Sequence, residues 1–325
     1  MNKYIVVSLL VGILIGSGVG YVCFWWINLG EKSKSWYDVK VGIFYYVWYD
    51  PNLSVSWEYP KIADKPVLGY YNSCDPEIIA THLKWISELG INFIILSYWG
   101  HYFPWDEWYT FQLKTIHETF KVARENITNV KLCLMIEPFD RRQQPSYNYT
   151  EIYDYIYTNF VEPYPTIYFK YQGKPLLTFF NDQHLTPNGV YPKDDRFTML
   201  IVGGDTYVDW FYTSDLFPYW VHEPYPRNRQ ISVIPRFDDS QYRNPPHIVD
   251  AELTLGVYKK QWERAIKLAK ENETDVITIT SWNEYVERTA IEPHYDYTAW
   301  NPDPYYLYNM TKNFISELRE SIDCK

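Results

Sequence analysis

The chain carries no surplus of positive charge. Its 30 Lys and Arg face 40 Asp and Glu, for a net charge of -10 at pH 7. A nucleic acid binder needs a basic face for phosphates, so no nucleic acid partner is expected. Cysteine is scarce, at four in 325 residues, with no CxxC and no metal-ligand spacing. Cys23 lies in an apolar run and Cys133 in a strand-like one, which leaves Cys74 and Cys324 as a pair available to an oxidising compartment. His101, His117, His184, His222 and His247 form no close pair at ligand spacing, so neither a metal nor another cofactor is expected. No glycine-rich phosphate loop follows any apolar run, which argues against a nucleotide site. No serine sits in a nucleophile elbow.

Aromatic residues are abundant: 33 Tyr, 14 Trp and 16 Phe. Many must fill a core. Tyr and Trp also join an apolar face to a polar tip, which suits a cleft lined by rings on which sugars stack. Residues 4–30 contain no charged side chain. A bilayer core needs about 20 apolar residues in a helix, so this run is long enough to span, with Trp25 and Trp26 at an interfacial belt. A cleaved signal peptide is the rival, but its apolar core is usually about 7–15 residues. The expectation is a cytoplasmic stub and transmembrane signal-anchor over 1–30, meeting the lipid bilayer through 4–29, then a tether over 31–40. Asn-x-Ser/Thr sequons at Asn52, Asn126, Asn148, Asn272 and Asn309 point to a glycoprotein with an extracellular or Golgi-lumenal catalytic domain.

From residue 41 onward, short apolar runs alternate with amphipathic stretches. The runs begin at Val41, Ile91, Val130, Lys174, Phe197, Tyr212 (a weak one), Ile231 and Asp275. Most are continuously apolar rather than alternating, as in strands buried on both faces of a parallel sheet. "DPEIIATHLKWISELG" has an Asp cap, Pro at the first helical position and a terminal Gly90. "EWYTFQLKTIHETFKVAREN" and "GVYKKQWERAIKLAKEN" are amphipathic helices. Eight strands with interspersed helices predict an α/β fold, a (β/α)8 TIM-like barrel over 41–325. A doubly wound open sheet is the alternative.

In such a barrel the C-terminal strand ends line the active site. Read in order, they supply Tyr45, Tyr46, Trp48 and Tyr49; Tyr98, Trp99 and His101; Glu137; Asn181 and Asp182; Asp205; Arg236, Asp238, Asp239 and Arg243; and Trp282, Asn283, Glu284 and Glu287. Paired carboxyls beside aromatic platforms match the needs of glycoside hydrolysis: one protonates the leaving oxygen and one works at the opposite side of the anomeric carbon. Burial among rings lets one acid keep its proton near neutral pH. Each acid also has a bland reading. A Glu-x-x-Glu pair is most often an exposed helix face, although Ile279–Trp282 sets this pair after a buried strand. Glu137 has ion-pair partners nearby in sequence, Arg141 and Arg142. Glu292 reads as a positioning or ion-pair residue.

Four segments, "VGIFYYVWYDP", "GYYNSCDPEIIATHLKWISELGINFIILSYWG", "LMIEPF" and "SWNEYVERTAIEP", resemble in order those of glycoside hydrolase family 99, the endo-α-mannosidases and family-99-like proteins. The resemblance implies a membrane-anchored retaining endo-glycosidase acting on oligosaccharide or polysaccharide with α-linked mannose-type sugars. It makes Glu284 the base at the sugar 2-hydroxyl and Glu287 the general acid/base. Glu137 would bind hydroxyls of the reacting sugar, and Trp99 would be an aromatic platform. Tyr46, Tyr98, Asp238, Arg243 and Asn283 complete the expected substrate contacts. The family motif reads Glu-Trp-His-Glu-Gly, whereas this chain has Glu284, Tyr285, Val286, Glu287 and Arg288. That departure keeps open an inactive glycan-binding module and a related α-glucanase; a transferase using the same acids is a third alternative, opposed by the lack of a DxD-type site and of any nucleotide fingerprint.

Overall fold

The computed structural model describes residues 39–53, 57, 64–101, 106–126, 129–137, 148–180, 192–202, 229–297 and 303–323. The chain divides into Met1–Ser33 and Lys34–Lys325, and every described residue falls in the second unit. The expected span over 4–29, the weak strand from Tyr212, and Asn181, Asp182, Asp205, Arg141, Arg142 and Cys324 lie outside the described residues. Among the described residues no helix is long and apolar enough to cross a membrane.

In chain order the strands are β1 (Lys40–Tyr45), β2 (Lys65–Pro66), β3 (Phe93–Tyr98), β4 (Lys131–Ile136), β5 (Lys170–Tyr171), β6 (Lys174–Phe180), β7 (Thr198–Val202), β8 (Gln230–Val233), β9 (Phe237–Asp238), β10 (Ile248–Val249), β11 (Val276–Ile279) and β12 (His294–Tyr295). The helices are α1 (Pro76–Leu89), α2 (Glu107–Glu125), α3 (Tyr149–Ile156), α4 (Val257–Lys270) and α5 (Tyr306–Asp323). The parallel strands lie side by side as β7, β6, β4, β3, β1, β11, β8. From β1 to β7, and again from β8 to β11, each neighbours the next parallel strand in sequence, and the last pairs with the first: Val41 sits opposite Ile277 and Ile43 opposite Ile279. That cyclic order belongs to a TIM-like barrel and overturns the doubly wound alternative, in which the order reverses at a switch point.

The strands are buried because their residues are apolar on both faces. Every residue of Phe93–Tyr98 is buried, as is every residue of Val276–Ile279. Inside the barrel, Gly42 lies opposite Phe93 in register. A Cβ on Gly42 would fall 2.4 Å from the Phe93 ring, so the missing side chain makes room for that ring. Phe93 in turn stacks on Phe169, with centroids 3.9 Å apart.

Capping chemistry sets the helix bounds. Asp75 accepts from the Glu77 N–H at 2.8 Å, and Gly90 closes α1 at φ 82°. Asp106 accepts from Trp108 N–H at 2.9 Å and Tyr109 N–H at 3.2 Å to start α2. Arg319 of α5 donates to the Gly90 carbonyl at 3.0 Å, tying the last helix to the end of the first.

Candidate active site

After β11 the chain turns tightly rather than entering a helix, which removes the exposed-helix reading of Glu284 and Glu287. Ser281 N–H donates to Thr289 O at 3.1 Å, and Thr289 N–H donates to Glu284 O at 3.0 Å. The Ser281 hydroxyl accepts from the Glu284 N–H at 2.8 Å. This closed loop holds Glu284 at 5% exposure, with one carboxylate oxygen accepting from the Val286 N–H at 2.9 Å. Glu287 is half-buried and accepts from the Tyr242 hydroxyl at 3.0 Å.

The acids share one electrostatic environment. Burial pushes the Glu284 carboxyl well above the usual range, Glu287 pushes it further, and Glu137 adds to this. Glu137, at the end of β4, is pushed up to about 8, first by burial and then by Glu287, against a lowering hydrogen bond from Ser97. That bond runs from the Ser97 hydroxyl to the Glu137 carboxylate at 2.8 Å, and the Trp99 indole N–H donates to the same hydroxyl at 3.0 Å. Glu137 and Trp99 are thus linked through one side chain. Glu284 and Glu137, at two different strand ends, therefore retain protons at a pH where isolated carboxyls would not. Tyr242, raised by burial and then by Glu287, stays a neutral donor at neutral pH.

A wall of rings rises beside the acids. Tyr46 and Trp48 lie 4.5 Å apart, Trp48 stacks on Trp108 at 6.3 Å, and Trp108 meets Trp99 edge-on at 5.5 Å. All four are half-buried, so each offers a face. Trp108, two residues past the Asp106 cap, was not anticipated from sequence; its place in the first turn of α2 was the available signal.

Three of the expected substrate contacts, Asn283, Tyr98 and Asp238, are buried. Asn283 is fully buried; its oxygen accepts from Tyr46 N–H at 2.9 Å, and its nitrogen donates to Tyr46 O at 2.8 Å and to the Tyr71 hydroxyl at 3.3 Å. It clamps the β11 loop to the β1 exit. Tyr98 is also fully buried, with its hydroxyl 2.7 Å from His101 Nδ1. Asp238 spends one oxygen on Ser240 N–H at 3.1 Å and the other on Arg288 at 2.9 Å. Burial would raise it, but the Ser240 and Arg288 hydrogen bonds outweigh that and hold it low. Arg243 keeps 46% of its side chain exposed while pairing with Asp239 at 3.0 Å.

Glu292 is fully buried, accepting from the Tyr71 hydroxyl at 2.8 Å and standing 3.2 Å from His82 Nε2. Behind the loop lies an ion cluster with no obvious signature in the sequence. Arg288 reaches Asp64 at 3.0 Å, Asp238 at 2.9 Å and Asp296 at 2.8 Å. Arg236 reaches Asp64 at 3.2 Å and also pairs with Asp296. His294 Nε2 lies 3.1 Å from an Arg236 nitrogen, which can only donate. His294 therefore accepts there and donates from Nδ1 to the Glu292 carbonyl at 2.6 Å. Burial lowers its pKa, in keeping with this neutral form.

A parallel barrel with buried carboxyls that hold their protons and an aromatic wall at its C-terminal mouth suits glycoside hydrolysis. The comparisons narrow the class. The model of glycosyl hydrolase family 99 matches residues 60–209, a stretch that includes Glu137 and ends before the loop of Glu284 and Glu287. A glycoprotein endo-α-1,2-mannosidase-like protein of Danio rerio is 24% identical over 364 residues, covering 86% of this chain and 78% of that one. The solved family-99 endo-α-mannosidase of Bacteroides thetaiotaomicron is 20% identical with a TM-score of 0.62, covering 89% of this chain and 99% of that one. A glycoside hydrolase-like protein is 13% identical with a TM-score of 0.57, covering 90% and 95%. The chain is a glycoside hydrolase that resembles family 99 in sequence and in fold.

Proposed function

We propose that the protein is a retaining endo-glycosidase of α-linked, mannose-type glycans, with Glu284 and Glu287 as its catalytic residues. The observation that carries this reading is the buried Glu284 three residues from Glu287 on one closed loop, with Glu287 strengthening the hold of Glu284 on a proton and Tyr242 donating to Glu287. Glu284 removes the proton of the sugar 2-hydroxyl as that oxygen attacks the anomeric carbon. Glu287 gives its proton to the departing glycosidic oxygen, so the glycosidic bond breaks and a 1,2-anhydro sugar forms. Glu287, now a carboxylate, takes a proton from water, which attacks the anomeric carbon. The bond from that carbon to the 2-oxygen opens, and Glu284 returns the first proton. Two displacements leave the anomeric configuration unchanged.

The shared proton must sit on Glu287 when substrate is bound. A sugar hydroxyl donating to Glu284 favours the ionised form of Glu284, which moves the proton to its neighbour. Glu137 and Trp99, joined through Ser97, face the same sugar, one by hydrogen bonding and the other by stacking. The mannoside preference rests on the names of the Danio rerio and Bacteroides thetaiotaomicron proteins.

Residues 4–29 anchor the protein in a lipid bilayer and leave the barrel outside the cell or in the Golgi lumen. Supporting this, the sequon residues Asn52, Asn126, Asn148, Asn272 and Asn309 are all exposed on the barrel, as glycan attachment requires.

The test is hydrolysis of an α-mannoside oligosaccharide by Glu284→Gln and Glu287→Gln, with circular dichroism as the control for folding. Each variant should lose at least the roughly 10²–10⁴-fold that general acid–base catalysis contributes. Wild-type turnover in both would sink the assignment. Binding of the glycan by the wild-type protein with no product formed would point to a glycan-binding module.

A further inference from the structure

Arg288 follows Glu287 directly, is 2% exposed and holds φ 54°, a left-handed conformation unusual for a side chain of this size. Its guanidinium is fully engaged: Nε with Asp64, Nη1 with Asp238 and Nη2 with Asp296, all within 3.0 Å. Its carbonyl accepts from Arg236 Nε at 2.9 Å. The carbonyl just before it, that of Glu287, accepts from the Asp238 N–H at 2.9 Å. The backbone on both sides of the Glu287–Arg288 peptide is therefore pinned to the segment after β8. That same segment brings Tyr242 to the Glu287 carboxylate at 3.0 Å.

We propose that Arg288 is a positioning residue: through Asp238 it locks the loop bearing Glu287 to the segment bearing Tyr242. The inference rests on the reading of Glu287 as the acid/base. A salt bridge serving stability alone needs only a partner, whereas this one couples the two segments whose relative placement sets the Tyr242–Glu287 hydrogen bond. The guanidinium suits the task because its planar fork addresses three carboxylates in fixed directions, which a lysine ammonium cannot do. The groups facing Glu287 are Glu284, Glu137, Tyr242 and Arg243. Those facing Arg288 are Asp64, Asp238, Asp296, Arg236 and the Tyr297 ring, whose centre lies 4.3 Å from the guanidinium carbon. Loosening the clamp changes Glu287's distance from its own neighbours while leaving the aromatic wall untouched.

The experiment compares Arg288→Gly, Arg288→Lys and Asp238→Asn with wild type and with Glu287→Gln, measuring kcat, KM and the pH–rate profile on the same mannoside. Glycine accepts φ 54° without strain, so Arg288→Gly removes the clamp while relaxing the backbone. The expected result is a fall in kcat of about 10²-fold, the scale of an ångström's misplacement, with KM nearly unchanged and the limb of the pH profile governed by Glu287 displaced. Added guanidinium ion should restore part of the kcat of Arg288→Gly, and Arg288→Lys should restore little. Where Arg288→Gly does not fold, Asp238→Asn decides the matter, because it removes the charge from that link and leaves one oxygen for two donors, Ser240 N–H and Arg288 Nη1, while Arg288 stays on Asp64 and Asp296. Wild-type kcat and pH profile in the folded variants, with Glu287→Gln inactive, would overturn the positioning role alone. Turnover retained in Glu287→Gln would instead sink the acid/base reading itself.

Discussion

Glu137 shows how much one residue's surroundings decide. Its sequence context, an acid closing an apolar strand, marked it for the site. Its partner proved to be Ser97, a residue that carries no signal of its own. Because the folded-state pKa is raised to about 8 from a usual value near 4.5, the folded protein binds the proton more tightly than the unfolded chain. The associated stability is fully present below about pH 4.5 and is lost as pH rises through 8. Thermal melts from pH 4.5 to 8.5 should therefore show the wild type losing stability relative to Glu137→Gln as pH increases. A pH-independent gap between the two would contradict the raised value. His294 acts in the opposite sense at the acid end, since its lowered pKa costs stability once the pH drops below about 6.5. The wild-type minus variant difference removes that contribution. Tyr242→Phe provides a second check: losing the donor to Glu287 should raise that carboxyl's pKa and shift the pH–rate profile upward. The buried Arg–Asp cluster was not legible, because its members are spread from Asp64 to Asp296 and only the fold brings them together.

At the level of elements, the strands were legible because burial on both faces writes itself as uninterrupted apolar runs. Those starting at Val41, Ile91, Val130, Lys174, Phe197, Ile231 and Asp275 each hold a parallel strand that begins within two residues of the start of the run. The helix from Pro76 was legible through its caps. The two-residue ribbons were not: β2 pairs with β12, and β9 with β10, across stretches with no periodic pattern. α3 and α5 were also missed; α3 is short and runs on into a π-helical turn at Tyr157–Val161. The caps yield a direct prediction. Gly90→Ala forces a Cβ onto φ 82° and into the space of the Arg319 guanidinium, 1.5 Å away. The left-handed conformation alone costs about 1–2 kcal/mol, and Arg319 must give up its bond to the Gly90 carbonyl. Urea unfolding should show a loss of that order, while kcat below the transition stays near wild type because the change lies far from the C-terminal mouth.

For the whole molecule, the division at Ser33 predicts that a chain lacking residues 1–33 folds as the barrel and keeps the kcat of the full-length protein. If residues 4–29 are the anchor, the full chain partitions into detergent on phase separation and the shortened one stays in the aqueous phase. Equal partitioning of the two would remove the anchor.

The pairing of β1 with β11 governs when the site comes into being as well as where it lies. Tyr46 and Asn283, which hold the β11 loop against the first strand, are 237 positions apart in the chain. Contacts of such separation form late, because the intervening chain must lose its freedom before they repay the cost. During synthesis Glu137 and Trp99 emerge long before Glu284 and Glu287. On the proposed assignment of Glu284 and Glu287, hydrolytic competence arrives only with the last parallel strand.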